Sequence, residues 1–289
     1  MIKLIAFDLD GTVFDDHKKI SPATKDILER AAGKGIEIVP ATGRPYKGLC
    51  AEVENLQGVR YVLTTNGGGI YERETGRCIY QDCMKLEELL RLLLRLEELD
   101  VMADAFVQGD SYMTRKKVPL IDGIDGPEEI KDYIRTSRTV VEDQAAALRE
   151  RGDDVEKLTI NFAVDRQGKR IDYDKAWRIL EDFPKFHAVS GGMQNIEVTA
   201  ARVTKASALL WLGKYLKIKP EEMIAFGDSG NDIDMLRAAG IGVAMGNAEQ
   251  EVKETADFVT KTNTEGGVVH ALKRFVPELA ESEGGETWN

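Results

Sequence analysis

The chain has 289 residues, long for one ordinary domain and comfortable for two. Apolar residues make up 43% of it and charged residues 31%, enough for a sizeable core under a charged surface. A formal net charge of −11 excludes the electrostatic footprint of a general nucleic-acid binder or of a protein drawn to anionic membranes, and it leaves any phosphate site in need of a local cation.

In chain order, residues 3–7 form a short apolar run ending in carboxylates, which predicts a buried parallel strand. Ser21 and Pro22 supply an N-cap and a first-turn proline, Ile27, Leu28, Ala31 and Ala32 mark one helical face, and Gly33 and Gly35 end it. Residues 36–39 predict a second strand, stopped by Pro40 just before Thr42-Gly43-Arg44. Residues 61–65 predict a third, stopped by Asn66 and three glycines. Strand alternating with helix in this rhythm points to a doubly wound, mostly parallel α/β sheet of Rossmann-like kind.

The middle of the chain follows another pattern. A hairpin is predicted around residues 72–76, a Leu-rich helix at 86–99, strands at 101–107 and 111–114, a turn-rich stretch at 123–127, a strand at 158–164 and a helix at 173–180. This α+β segment, residues 84–189, reads as a domain inserted into the α/β core of residues 1–83 and 190–289. From Asn195 the parallel rhythm resumes, with helix at 205–216, strand at 223–226, a glycine- and carboxylate-rich turn at 227–234, helix at 235–239 and strand at 241–245. The acidic tail after Glu278 is expected to fray. An insertion of this kind sets a crevice between two bodies, at the carboxyl ends of the parallel strands.

Cys50, Cys78 and Cys83 are odd in number and lack CxxC spacing, so free thiols in a reducing compartment are expected. His17, His187 and His270 are scattered and offer no metal pair. Residues 4–7 ahead of Asp8 are too short for a signal sequence. Charges at Glu87, Glu88, Arg91, Arg95, Glu97 and Glu98 make the Leu-rich stretch an amphipathic helix rather than a membrane span, so a cytoplasmic protein is expected. No oligomeric state is legible.

Four short segments carry the chemistry: Asp8-Leu9-Asp10-Gly11-Thr12, Thr42-Gly43-Arg44, Lys205, and Gly227-Asp228-Ser229-Gly230-Asn231-Asp232. If all four reach the carboxyl edge of one sheet, they converge on one pocket. Two carboxylates two residues apart at a strand end can serve as nucleophile and proton carrier. Asp228 and Asp232 add further negative charge. Two unit charges at ~4 Å and an effective dielectric of ~20 repel by about 4 kcal/mol, so the group requires a counter-ion. Its ligands are all oxygens, which selects a hard cation, and Mg²⁺ suits phosphate chemistry. Lys205 would add positive charge, and the Thr42 hydroxyl with the backbone N–H groups of Leu9 and Gly43 would complete an oxygen-binding cradle. Other readings compete. Asp8-Leu9-Asp10-Gly11 alone could be an ordinary turn. A calcium loop fails because its sixth position holds Val13 or Ile233, not glycine. The glycines at 67–69 are followed by no GK[ST]. Arg44 could contact phosphate or form a structural salt bridge, and Asp234 is expected to cap a helix or face solvent rather than bind metal.

These residues resemble the motifs of the haloacid dehalogenase-like hydrolase superfamily, in its Cof-type branch of sugar and metabolite phosphatases, over almost the whole chain. The resemblance implies an α/β core with an α+β cap between the second and third motifs. It implies that Asp8 attacks phosphorus to form an aspartyl phosphate, and that Asp10 protonates the leaving alcohol and then activates water. Thr42 and Lys205 would hold phosphoryl oxygens, and Asn231 would reach the phosphate or its hydrogen-bond network. Mg²⁺ would be held by the Asp8 carboxylate, the Asp10 carbonyl and Asp228, with Asp232 behind them. One departure is visible: Ala206 follows the lysine where glycine is frequent in the family, a change expected to matter little in a helix. The implied partner is a small phosphorylated metabolite, a sugar phosphate or a phosphorylated cofactor. Phosphoryl transfer to a second sugar, a phospho-accepting signalling receiver and a silent binding protein are the competing functions; a receiver is a single small domain, to which an insertion of this size is foreign.

Overall fold

The structure, a computed structural model, describes residues 1–191 and 195–280. Its centre is a five-stranded, all-parallel sheet in the order Phe258–Val259, Ile241–Ala244, Met223–Gly227, Leu4–Phe7, Glu37–Pro40. Leu4–Phe7 is buried along its whole length, as a strand covered on both faces must be, and this explains its unbroken apolar run. Helices Pro22–Gly33 and Gly267–Phe275 pack together, and Lys205–Leu216, Ile233–Ala238 and Gln250–Thr255 form a second group. The Ser21 side chain accepts from the Thr24 N–H, so the cap expected at Ser21-Pro22 is formed. The tight register of Phe7 against Phe226 and Pro40 brings the three following loops to one edge.

Residues 61–65, expected as a third parallel strand, form Tyr61–Thr64, whose Leu63 makes an isolated parallel bridge to Ala41 at the sheet edge, as Val59 just before it does to Ile38. Its main pairing is antiparallel, with Gly69–Glu72 and then Cys78–Gln81. The chain reverses at Thr65, Asn66 and Gly67, all at positive φ, which leaves no length for a crossover helix.

The insertion has its own core. Six strands lie in the order Phe186–Ser190, Ile196–Ala200, Lys157–Phe162, Val101–Val107, Asp110–Thr114, Thr139–Val141, antiparallel except for the last pair. Helix Leu86–Leu96 packs with Tyr173–Glu181 and Gln144–Arg151, and Leu89, Leu92, Leu96, Leu158, Ile160 and Val198 fill the cluster between. Two helices in this unit were not expected, Glu128–Ser137 and Gln144–Arg151; the first covers a smaller cluster of Met102, Met113, Ile121 and Ile134. The division expected at residues 189/190 falls inside strand Phe186–Ser190. Residues 196–200, expected in the core, pair instead with two strands of the inserted sheet. Helix Lys205–Leu216, whose Ala208, Leu209 and Leu212 join the central cluster, is the first element back in the core.

At the C-terminal end Pro277–Leu279 forms a short turn with Leu279 buried, and the Arg30 guanidinium donates to its carbonyl, 2.9 Å away. The rest of the tail expected to fray, residues 281–289, lies outside the described residues. Among the described residues no helix is long and apolar enough to cross a membrane.

Candidate active site

Asp8 is the first residue past the central strand, and its N–H still pairs with the Phe226 carbonyl at 3.0 Å. Its side chain is buried against Lys205, whose Nζ lies 2.6 Å from Asp8 Oδ1 and 2.7 Å from Asp232 Oδ1. Lys205 reaches them because it opens a helix fixed by a reciprocal cap between Thr204 and Ser207. Asp232 is held from its other oxygen, Oδ2, which accepts from the backbone N–H groups of Asp228 at 2.9 Å and Ser229 at 3.1 Å. Asp228 Oδ1 accepts from the Thr12 hydroxyl at 2.9 Å. Gly11 lets the first loop pass: its φ is +88°, and a Cβ there would sit 2.3 Å from Asp228 Oδ2.

Asp8, Asp228 and Asp232 each offer an oxygen within 4.8 Å of the others. Burial, with repulsion from Asp232 and Asp228, drives the Asp8 carboxyl well above its usual range despite Lys205. Burial and then Asp232 push Asp228 up to about 7. Lys205 is held protonated against its own burial by Asp232 and Asp8. Three carboxylates against one ammonium leave a deficit of positive charge, and the donors are all oxygen. The residues therefore fit a hard divalent cation.

Thr42 is buried past the strand Glu37–Pro40; its N–H donates to the Leu63 carbonyl at 2.9 Å and its hydroxyl accepts from the Arg44 N–H at 3.1 Å. A Cβ on Gly43 would lie 3.0 Å from Asn66 Oδ1 and 3.1 Å from both Glu197 Oε1 and Lys157 Nζ, so the inserted sheet closes directly on this loop. Leu9 is buried, and its carbonyl accepts from the Phe14 N–H at 3.0 Å. Asn231 donates to Asn66 Oδ1 at 3.2 Å and Glu197 Oε2 at 3.3 Å. Asp234 is exposed, as one of its two readings had it.

Asp10 stands apart. Its carboxylate does not join the three-carboxylate group; Arg44 binds it through two nitrogens at 2.9 and 2.8 Å, and Lys18 Nζ lies 2.9 Å away. Burial works against the charge, but Arg44 outweighs it and the Asp10 carboxyl falls below its usual range. Arg44 thus forms an ion pair within the protein. Its guanidinium also lies 5.3 Å from the ring of Tyr133, on the inserted unit.

Five residues at the site stand outside the segments singled out in the sequence, Lys18, Asn66, Tyr133, Lys157 and Glu197, and Thr12, inside the first segment, carried no expected role. Asn66 directly follows the expected strand 61–65, and that position is its only local signal. Lys157 and Glu197 carried a fainter signal, a charged residue alternating with apolar ones in KLTINF and IEVTA.

A profile of the haloacid dehalogenase-like hydrolases matches residues 5–272. The 5-amino-6-(5-phospho-D-ribitylamino)uracil phosphatase YcsE of Bacillus subtilis (strain 168) is 32% identical over 279 residues, spanning 95% of this chain and 96% of that protein. Phosphatase YwpJ of the same organism is 30% identical over 286 residues, spanning 95% and 100%. The structure of a haloacid dehalogenase-like hydrolase from B. subtilis superimposes with a TM-score of 0.82 at 29% identity, covering 95% of this chain and 100% of that one.

Proposed function

This chain belongs to the haloacid dehalogenase-like hydrolases, and we propose that, as a phosphatase of that family, it acts on small phosphorylated metabolites with Mg²⁺, through an aspartyl phosphate on Asp8. The observation that carries this reading is the meeting of Asp8 with Lys205, Asp228 and Asp232 at the carboxyl edge of the parallel sheet.

An Asp8 carboxylate oxygen attacks phosphorus as the bond to the leaving alcohol oxygen breaks. Lys205 holds Asp8 in place and, with the Thr42 hydroxyl, balances charge on the phosphoryl oxygens. Asp10 delivers a proton to the departing alkoxide, and then takes one from the water that attacks phosphorus and frees Asp8. While paired with Arg44 and Lys18, Asp10 is a carboxylate, the form suited to the second step; the first needs that pairing to loosen. Asp8, Asp228 and the Asp10 carbonyl are the groups to hold Mg²⁺, with Asp232 orienting Lys205 and the Asp228 backbone behind them. The bound ion supplies the positive charge that the three carboxylates lack and that a phosphate ester requires.

The inserted unit serves as the cap. Where it meets the core, a cavity of about 20 Å³ lies among Lys205, Asn231, Glu197 and His187, room for roughly one water. A substrate that fills this junction needs the two bodies to part and close again, which shuts bulk water out of the chemistry. The three unpaired thiols support a reducing, cytoplasmic setting.

Hydrolysis of an aryl phosphate tests the reading. Turnover should require Mg²⁺, vanish with a chelator, and fall by about 10⁴-fold or more in Asp8→Asn. Turnover that ignores both the chelator and the substitution would contradict it.

A further inference from the structure

Glu156 is a buried acid that the proposed chemistry does not use. It stands just ahead of strand Lys157–Phe162, at 0% exposure, and forms no ion pair among the described residues. Its main chain belongs to the inserted unit, where its N–H donates to the Phe106 carbonyl at 2.9 Å. Its carboxylate reaches the other way, into the antiparallel strands of the core. Oε1 accepts from the Tyr71 hydroxyl at 2.9 Å and the Gln81 amide at 3.4 Å, and Oε2 from the Thr65 hydroxyl at 3.5 Å. Burial pushes the carboxyl above its usual range in spite of these bonds. A buried carboxylate without a cation is a costly way to fill space, so the position calls for an acceptor rather than for packing.

The groups it accepts from lead to one loop. Thr65 is β-branched, yet its φ is +50°, and Asn66 and Gly67 follow at +57° and +98°. Such a run persists only where its surroundings fix it. From this turn the Thr65 N–H donates to the Arg44 carbonyl at 3.0 Å, and the Asn66 N–H to the Thr42 carbonyl at 3.1 Å. The turn thus binds both ends of Thr42-Gly43-Arg44. Tyr71 meets the same stretch from the side, stacked on Tyr46 just beyond Arg44 with ring centroids 4.4 Å apart and planes 9° from parallel. Gly68 permits the close approach: a Cβ there would lie 2.8 Å from Thr65 Oγ1 and 2.9 Å from the Glu156 carbonyl oxygen.

Resting on the phosphatase reading above, we propose that Glu156 is a positioning residue: held by the inserted unit, it fixes the turn Thr65–Gly67 and Tyr71, and through them sets the loop Thr42-Gly43-Arg44 to receive phosphate. It touches neither substrate nor metal. Its effect falls on the phosphoryl oxygens, which substrate and product phosphate share, and not on the leaving group.

The test measures kcat and KM for an aryl phosphate, and Ki for inorganic phosphate, in the full-length enzyme with Mg²⁺. Glu156→Gln keeps the shape but turns one acceptor oxygen into a donor facing donors. KM and Ki should rise together by about tenfold, with kcat within about threefold of wild type, the pattern of a lost contact that substrate and transition state use alike. Thr65→Ala cuts one of the links and removes a β-branch from a backbone at positive φ, so it should fold as wild type and raise Ki in the same direction. The double variant should bind phosphate no more weakly than Glu156→Gln alone, because both changes act through one turn. A merely structural Glu156 would lower the unfolding midpoint and leave KM and Ki unmoved, which would overturn the proposal, as would losses that multiply in the double variant. If Glu156→Gln is not recovered folded, Thr65→Ala decides: an unchanged Ki overturns the proposal and a raised one supports it. Wild-type turnover is read in the same assay. Its absence would remove the phosphatase reading and this proposal with it, whereas turnover with unshifted Ki in the variants would remove this proposal alone.

Discussion

Two clusters of buried charge lie on either side of the junction, and they are built on opposite balances. In the core, Asp8, Asp228 and Asp232 share the single ammonium of Lys205. On the inserted sheet, Glu197 and Asp104 each have a cation of their own, Lys157 and Arg138. Burial and mutual repulsion lift Asp8 and Asp228, whereas Glu197 is held down by Lys157 in spite of its burial; Asp104, wholly buried, is pushed up to about 6 even beside Arg138. Buried charge alone therefore says little about function. A deficit of positive charge calls for a further cation, and a matched pair calls for none.

Asp10 is where the contrast is broken with the largest effect, because it belongs to neither cluster. Asp10→Asn should lower kcat on an aryl phosphate by roughly 10²- to 10⁴-fold while circular dichroism stays native. Turnover within threefold of wild type would take the proton-carrying role from it.

A smaller effect sharpens the core side. Burial and Asp232 push Asp228 up to about 7 in the folded protein against an ordinary 3.8, so between about pH 4 and pH 7 the folded state binds more protons than the unfolded one. Stability of the metal-free protein therefore falls as pH rises through that window. Asp228→Asn removes this contribution. In a chelator, the unfolding free energy of the variant should exceed that of wild type by a margin that widens from pH 4 to pH 7, on the order of a few kcal/mol at the top. Mg²⁺ should close the gap by stabilising the wild type. A margin independent of pH would mean that the carboxylates do not repel as their spacing implies.

Thr12→Val gives the smallest expected change. Loss of the hydroxyl that donates to Asp228 should weaken Mg²⁺ binding by about 10- to 100-fold, read from the Mg²⁺ dependence of turnover. Unaltered affinity would show that Asp228 needs no such support.

How much of this was legible in sequence follows the range of each interaction. The apolar run ending at Asp8, the Ser21-Pro22 cap and the helix opening at Lys205 are local features, and all three stand where the pattern puts them. Sheet membership is not local. Residues 196–200 alternate apolar and polar as many strands do, and only pairing with Phe186–Ser190 and Lys157–Phe162 assigns them to the inserted unit. Helix Glu128–Ser137 has few apolar positions, chiefly Ile130 and Ile134 one turn apart among charges, too narrow a stripe to stand out from a polar loop. Within the site, the convergence of Asp8, Lys205, Asp228 and Asp232 was readable because each follows or opens a recognisable element. The Asp10–Arg44 pair was not. The strand ends at Phe7 and a turn begins at Leu9, so the alternation that would send Asp10 alongside Asp8 is already lost, and Arg44 lies 34 residues away. Lys157 and Glu197, 40 residues apart, are joined only by the sheet.

In the proposed mechanism phosphorus bonds to Asp8 itself. Quenching the enzyme in mid-turnover with borohydride, which reduces an acyl phosphate to an alcohol, and sequencing the peptide by mass spectrometry reads this directly. Homoserine in place of Asp8, formed only with substrate and Mg²⁺ present, is the predicted result. Phosphate released at the full rate with residue 8 recovered as aspartate throughout would contradict it.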